Sequence, residues 1–136
     1  MSKFKVKLIE PGRCHIKHEL AGSEIITDRP PEYGGQGRSF SSTDLISAAL
    51  GSCVLSSIHE VVEKEGYDPY KIRINIVKQL NQSMIESINI DISYQEIFRE
   101  EFISKLKEIV LSSPVKLSLN NQIKVDLSIC NIKQSN

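Results

Sequence analysis

Apolar and polar side chains alternate at the start of the chain, and this pattern predicts antiparallel strands. One alternating run covers residues 4–8 and a second covers residues 14–20, with Pro11-Gly12 between them. A short third strand over residues 24–27 would extend the hairpin into a meander. Each strand places its apolar side chains on one face, so we expect a sheet with one face in water.

A long helix is predicted to begin at Ser41 or Ser42 and to end near Glu65, before Gly66. A serine caps the free N–H groups, and the carboxylate of Asp44 complements the first turn. The first half of this helix is apolar or small around nearly its whole circumference, which indicates a central position in the fold. Its small side chains would let the backbone of a sheet or of a second copy come close; they are Ala48, Ala49, Gly51 and Ser52.

The remaining elements repeat the two patterns. They are strands over residues 71–80 and 88–94, a helix over residues 100–111, a helical turn at Pro114, and a last strand over residues 122–129. The predicted order is βββ, long α, ββ, α, β. This order favours a single α+β domain over residues 1–136 with antiparallel-rich sheets.

Composition narrows the possible partners. The 136 residues include 17 lysines and arginines against 17 aspartates and glutamates, and the lysines are scattered through the strands. A chain without a basic patch is a poor nucleic-acid binder, so we expect no such partner. Neither a secretory signal nor a membrane span is predicted, and we expect a cytoplasmic protein.

Cysteine usage limits the chemistry. Three cysteines, far apart and without CxxC spacing, argue against a disulfide framework and against a zinc site; they are Cys14, Cys53 and Cys130. The histidines add neither a metal site nor a Cys-His pair, because their spacing turns them away from each other and from the helix cysteine; they are His15, His18 and His59. We therefore predict no metal and no cofactor.

Cys53 is the first candidate for chemistry because it lies in the buried part of the predicted long helix. A thiol there is either a small packed side chain or a reactive group. A reactive thiolate needs a cation, since this position is too far along the helix for its N-terminal dipole to help. Ser56 and Ser57 share its face. The arginines available to it are Arg13, Arg29 and Arg38.

These residues suggest a family. The stretch from Thr43 to Cys53, TDLISAALGSC, resembles the P-x-E-L-L-x-A-A-x-x-x-C helix of the OsmC/Ohr family of stress-induced thiol proteins. The preceding Pro31–Gly35 loop is similar to the Pro/Gly-rich loop of that family. The order of elements agrees over nearly the whole chain.

The resemblance implies a fold and a reaction. It implies an OsmC-like, intertwined homodimer in which strands wrap two central helices. It also implies a helix cysteine that attacks the O–O bond of an organic hydroperoxide, a second cysteine that forms a disulfide with it, and an arginine and a glutamate that orient the thiolate. Cys53 matches the attacking cysteine, and Arg13 matches the arginine of the early strand turn.

Two positions depart from the family pattern. Ser113 stands where the family has its second cysteine, and Thr43 stands where it has the orienting glutamate, with Asp44 one position later. The leading hypothesis is therefore a one-cysteine peroxidase for small apolar hydroperoxides, reduced by an external thiol. The alternative is a weakly catalytic or non-catalytic protein that binds a small apolar ligand, senses redox state or transfers sulfur. In a third interpretation Cys53 only packs the dimer core. Cys14 and Cys130 are expected to be structural.

Overall fold

A computed structural model describes residues 1–131 and has the predicted α+β architecture. The strands are β1 (Phe4–Glu10), β2 (Arg13–His18), β3 (Glu24–Asp28), β4 (Arg73–Asn81), β5 (Met84–Tyr94) and β6 (Lys124–Asn131). The helices are α1 (Ser42–Lys64), α2 (Glu100–Leu111) and α3 (Pro114–Ser118), with short 3-10 turns at Pro31–Tyr33 and Pro69–Lys71. The fold consists of two compact units, residues 1–46 and residues 47 onward. A single domain therefore stays a prediction.

The first unit contains an antiparallel sheet in the order β1-β2-β3. Val6 pairs with Ile16, and Ile16 pairs with Ile25, so the alternating apolar residues fall on one face as predicted. All of β1 is nevertheless exposed, with Phe4 at 59% and Leu8 at 69%. The apolar side chains of β1 are therefore exposed in the part of the chain that the structure describes.

The second unit carries the hydrophobic core. Its sheet has the order β4-β5-β6, in which β4 and β5 are antiparallel and β5 and β6 are parallel. The central strand β5 buries Ile88, Ile90 and Ile92 completely. Helix α2 adds Leu106 and Val110 to the same cluster. Burial of these side chains is the main source of stability here, because each contributes about 1.5–3 kcal/mol.

Helix α1 is buried along one stripe only. Spacings of four residues bring together Leu50, Val54, Ile58 and Val62, all fully buried. Gly51 allows the close approach of β4, because a side chain there would put its Cβ 3.0 Å from the Cγ1 atom of Ile76. The opposite face exposes apolar and small residues, namely Ile46, Ala48, Ala49, Ser52 and Leu55. The predicted close approach of a sheet to the small residues is thus seen at Gly51, and the approach of a second copy stays a prediction.

The length and composition of α1 would also allow it to cross a membrane, contrary to the sequence-based expectation that no segment does. The core helix of a globular protein meets the same two criteria. The stripe from Leu50 to Val62 belongs to the hydrophobic cluster that contains β5. That packing accounts for the apolar character of the buried stripe, but not for that of the exposed face with Ile46 and Leu55.

Candidate active site

Cys53 lies in the middle of α1, at the edge of the buried stripe. Its neighbour Val54 is fully buried, whereas Cys53 itself is only half-buried and its sulfur is a free thiol. Ala49 and Ser56, one turn away on either side, are exposed. Small, exposed side chains therefore flank Cys53 on its own face of the helix.

Two serines hold the backbone at Cys53. The hydroxyl of Ser56 donates to the Cys53 carbonyl oxygen at 3.0 Å, and the hydroxyl of Ser57 donates to the same oxygen at 2.7 Å. The prediction that both serines share its face is confirmed. Both hydroxyl groups donate to the helix backbone and not to the sulfur. Any donor or cation that stabilises a thiolate must therefore come from other residues.

A groove of about 740 Å³ runs along the adjoining face of α1, within the second unit. Its apolar floor includes Gly51 and Ile76, and its polar groups include His59 and Arg73. The Arg73 guanidinium donates to the carbonyl oxygens of Tyr70 and Ile72 at 2.9 and 3.0 Å. Cys53 does not line this groove, which occupies the neighbouring face of the helix.

Arg13 begins β2, directly after Gly12, which has a φ of +72°. Its side chain is only 20% exposed, and its Nη1 atom lies 3.7 Å from the Oε2 atom of Glu10. The Nε atom of Arg13 is buried and has no hydrogen-bond partner in the described part of the chain. Arg13 therefore has an ion-pair partner at its Nη1 atom and an unused donor at Nε.

Arg38 is engaged in holding the loop that follows β3. Its backbone N–H and Nε–H donate to the Oδ2 atom of Asp28 at 3.1 and 3.3 Å, and its Nη2 donates to Glu10. The hydrogen bond that Arg38 donates to Glu10 is the main reason that the pKa of Arg38 is raised above its usual range. Arg38 thus remains charged as a cross-link between two carboxylates.

Asp28, which ends β3, is the buried anchor of this loop, with 1% of its surface exposed. Burial favours the neutral acid, but N–H donation from Arg38 and Gln36 outweighs it and lowers the pKa of Asp28. Arg29 is exposed, and its backbone N–H donates to the Gly12 carbonyl at 3.0 Å. The three candidate arginines therefore have different roles.

The carboxylate of Asp44 caps α1. Ser41 N–H donates to Asp44 Oδ2 at 2.8 Å, while Asp44 N–H donates to Ser41 Oγ at 3.1 Å, which forms a reciprocal capping box. The predicted contribution of Asp44 to the first turn is confirmed. The hydroxyl of Thr43 lies 3.1 Å from the same Ser41 oxygen.

Ser113, between α2 and α3, is 1% exposed, and its hydroxyl has no partner among the described residues. The other two cysteines are free thiols: Cys14 is half-buried in β2 and Cys130 is exposed on β6. Nothing in the structure tests whether they are purely structural. The pairing of Cys53 with Arg13, Arg29 or Arg38 also stays a prediction, because these arginines belong to the first unit.

The histidines of the first sheet are occupied locally. His15 Nε2 lies 3.0 Å from Glu24 Oε2, and His18 Nδ1 accepts the Ala21 N–H at 3.0 Å. Over residues 1–131, no group of three or more potential ligands could hold a metal ion.

Sequence reasoning missed Glu10 and Asp28. Both are acidic residues at strand ends beside an arginine-containing turn, and that placement is the signal that would have identified them.

Comparison with known proteins gives a consistent result. The family model described as OsmC-like protein matches residues 35–128. A Psychrobacter arcticus 273-4 structure, described as a candidate osmotic stress induced and detoxification response protein, is 25% identical, with 96% of each chain covered and a TM-score of 0.88.

Two further structures show a similar fold at low identity. The organic hydroperoxide resistance protein OsmC of Legionella pneumophila is 14% identical, with 95% of this chain and 96% of that chain covered and a TM-score of 0.70. OhrB of Bacillus subtilis is 13% identical, with coverages of 96% and 98% and a TM-score of 0.67. No curated protein sequence matches the chain.

Proposed function

Because the chain belongs to the OsmC-like protein family, we propose that it is a thiol-dependent peroxidase that reduces organic hydroperoxides through Cys53 in oxidative-stress defence. Two of the solved structures with a similar fold carry names that refer to organic hydroperoxide resistance. In this proposal Arg13 supplies the cation for the thiolate, and a small external thiol is the reductant.

The observation that carries the proposal is the partial exposure of Cys53. A cysteine that only packed a core would be expected among fully buried side chains such as Leu50 and Val54. Cys53 instead lies beside that stripe, with exposed Ala49 and Ser56 on its own face. A hydroperoxide needs this access, because the sulfur must reach its terminal oxygen directly.

The reaction has two parts. The Cys53 thiolate attacks the terminal oxygen of R–O–O–H, the S–O bond forms as the O–O bond breaks, and the alkoxide RO⁻ takes a proton to leave as ROH. A guanidinium at Arg13 favours the thiolate and neutralises the charge that develops on the leaving oxygen.

Reduction of the resulting sulfenic acid needs two external thiols. The first attacks Cys53 sulfur, releases water and forms a mixed disulfide, and the second displaces the restored Cys53 thiolate and leaves as the external disulfide. A serine at position 113 is consistent with this external cycle, because its hydroxyl cannot form a disulfide.

A preference for organic hydroperoxides over hydrogen peroxide follows from the apolar surroundings. The exposed face of α1 includes the apolar side chains of Ile46 and Leu55. The small side chain of Ala49, one turn before Cys53, is also exposed. An alkyl tail that is buried against such side chains gains about 0.8 kcal/mol per CH₂ group. Cumene hydroperoxide is therefore a suitable test substrate.

A homodimer is part of the same proposal. The single chain leaves two apolar surfaces in water: the face of β1–β3 that contains Phe4 and Leu8, and the exposed face of α1. A second copy is the partner best suited to cover the β1–β3 face, while the turn of α1 around Cys53 stays open to the substrate. Sedimentation equilibrium is expected to give twice the chain mass, and Leu8→Glu is expected to weaken the dimer; a monomeric wild type would contradict this part.

The test uses purified protein with cumene hydroperoxide and a dithiol. We expect Cys53→Ser to abolish consumption of the hydroperoxide, whereas Cys14→Ser and Cys130→Ser, which remove the other two thiols, retain it. Trapping with a sulfenic-acid reagent is expected to label Cys53 alone after one equivalent of peroxide. Equal turnover by Cys53→Ser would end the proposal.

A second candidate function, the binding of a small apolar ligand, is favoured by the 740 Å³ groove on α1. A groove of this volume with an apolar floor and a few polar groups is typical of ligand sites. Native mass spectrometry separates the two functions. A co-purified apolar ligand together with an unreactive Cys53 would favour the binding protein.

A further inference from the structure

We propose that Glu10 is the positioning residue for Arg13, and that it holds the guanidinium in the single orientation that the reaction at Cys53 requires. The inference rests on the proposed function for the part that concerns Cys53. The part that concerns Arg13 and Glu10 rests on the geometry of the first unit alone.

Glu10 and Arg13 meet across the first hairpin. The last residue of β1, Glu10, pairs in register with Arg13, the first residue of β2, beside an irregularity after Leu8. This pairing brings the Oε2 atom of Glu10 to 3.7 Å from Nη1 of Arg13. The carboxylate therefore lies at the end of the guanidinium group, and not along the Nε edge.

Glu10 is itself held by a second arginine. Nη2 of Arg38 donates to the same Oε2 atom that faces Arg13. Arg38 in turn is fixed by Asp28, whose buried carboxylate accepts both its backbone N–H and its Nε–H. The contacts form one continuous series from a buried aspartate to the Arg13 side chain, so Glu10 cannot rotate freely.

The Nε–H of Arg13 is the group that this arrangement leaves available. It is buried and unpartnered in the described residues, which is unfavourable for a donor of this kind. A fold that fixes the Nη end and leaves the Nε edge unsatisfied is prepared for an external acceptor. A thiolate or the leaving oxygen of a peroxide is such an acceptor.

Glu24 provides a matched comparison in the same sheet. Its carboxylate also lies between two basic groups, 3.0 Å from His15 Nε2 and 3.4 Å from Lys17 Nζ. It is not in contact with Arg13 in this unit. Glu24→Gln therefore removes the same charge from the same sheet without changing the Arg13 contact.

The test compares Glu10→Gln, Glu10→Asp and Glu24→Gln with the wild-type chain. The first measurement is the ¹⁵N relaxation of the Arg13 Nε–H group, assigned with Arg13→Lys. The second is the second-order rate constant for sulfenic acid formation at Cys53 with cumene hydroperoxide, measured in a single turnover. Circular dichroism checks that every variant is folded.

We expect Glu10→Gln to make the Arg13 Nε–H mobile on the nanosecond timescale and to slow oxidation of Cys53 by about 10- to 100-fold, as displacements near 1 Å commonly do. Glu10→Asp, which keeps the charge, is expected to restore much of the rate. Glu24→Gln is expected to match the wild type in both measurements.

The outcomes separate the two proposals. An Arg13 Nε–H as ordered in Glu10→Gln as in the wild type would overturn the inference, and so would an unchanged rate of Cys53 oxidation in a reactive protein. If the wild-type thiol is itself inert to hydroperoxide, the proposed function fails. A mobile Arg13 in Glu10→Gln would then still support the positioning by Glu10.

Discussion

Replacement of Gly35 by alanine tests whether the loop after β3 has the tight geometry described above. A Cβ atom at Gly35 would lie 2.0 Å from the carbonyl oxygen of Arg29 and 2.5 Å from its carbonyl carbon. Both atoms belong to the backbone, so no side-chain rotation relieves the contact. Gly34 is the matched control, because its φ is +86° but a Cβ there meets nothing within 4 Å.

The expected loss of stability in Gly35→Ala follows from the hydrogen bonds that the loop must break. Ordinary contacts of carbon are about 3.5–4.0 Å, so the backbone must move by more than 1 Å. Such a shift breaks the bonds from Gly37 N–H to Arg29 and from Gly35 N–H to Pro30, now 2.9 and 3.2 Å long. At about 1 kcal/mol each, with weakened donation to Asp28, the cost is about 3 kcal/mol.

Gly34→Ala is expected to lower the free energy of unfolding by only about 1 kcal/mol, because alanine is strained in the left-handed backbone conformation. Thermal unfolding followed by circular dichroism is expected to show a loss of about 10 °C for Gly35→Ala and about 4 °C for Gly34→Ala. Because Gln36 and Arg38 share the displaced segment, Gly35→Ala is also expected to slow oxidation of Cys53. Equal melting temperatures for the two variants would refute the described loop geometry.

Three further changes give sharp expectations. The pKa of Asp28 is lowered in the folded chain, so its ionised form stabilises the fold above about pH 4 and this contribution is lost as the pH falls through the lowered value. The free energy of unfolding of Asp28→Asn, measured with urea, is therefore expected to vary less between pH 5 and 2 than that of the wild type; parallel curves would contradict this. Ser113→Ala removes a buried hydroxyl that has no partner within residues 1–131 and is expected to raise the free energy of unfolding by about 1 kcal/mol. A loss of stability would mean that the hydroxyl is satisfied. Gln82-Ser83→Asn-Gly suits the positive φ values of 49° and 66° in the β4–β5 turn and is expected to add about 1 kcal/mol, measured by urea unfolding; no gain would argue against this turn geometry.

Local signals explain which parts of the fold were predictable from the sequence. The bounds of α1 follow from the capping pair Ser41 and Asp44 and from Gly66, which has a φ of +86°. The second helix begins and ends where its spacing of apolar residues predicts, over Glu100–Leu111. The positions of the strands along the chain follow from the alternation of apolar and polar side chains. Each of these signals lies within a few residues of the feature that it determines.

Interactions between distant residues were not predictable in the same way. Glu10 and Arg38 are 28 positions apart, and they meet only because β1, β2 and β3 align and the loop after Asp28 folds back. The one-sided burial of α1 was missed for a related reason. Composition shows that a helix is apolar, but not which of its faces this chain covers and which it leaves for a second molecule.

The contacts of Asp44 and Glu10 together suggest how this chain tolerates threonine at position 43. The family resemblance implies that an arginine and a glutamate at that position, directly before the predicted helix, together orient the thiolate. Here Asp44 is engaged in the cap of α1, and the carboxylate that contacts Arg13 comes instead from the end of β1. An arginine held from within its own hairpin does not depend on the start of the helix for its orientation. Substitutions at Thr43 should therefore affect the rate of Cys53 oxidation less than substitutions at Glu10, and the reverse order would mean that the helix still positions the guanidinium.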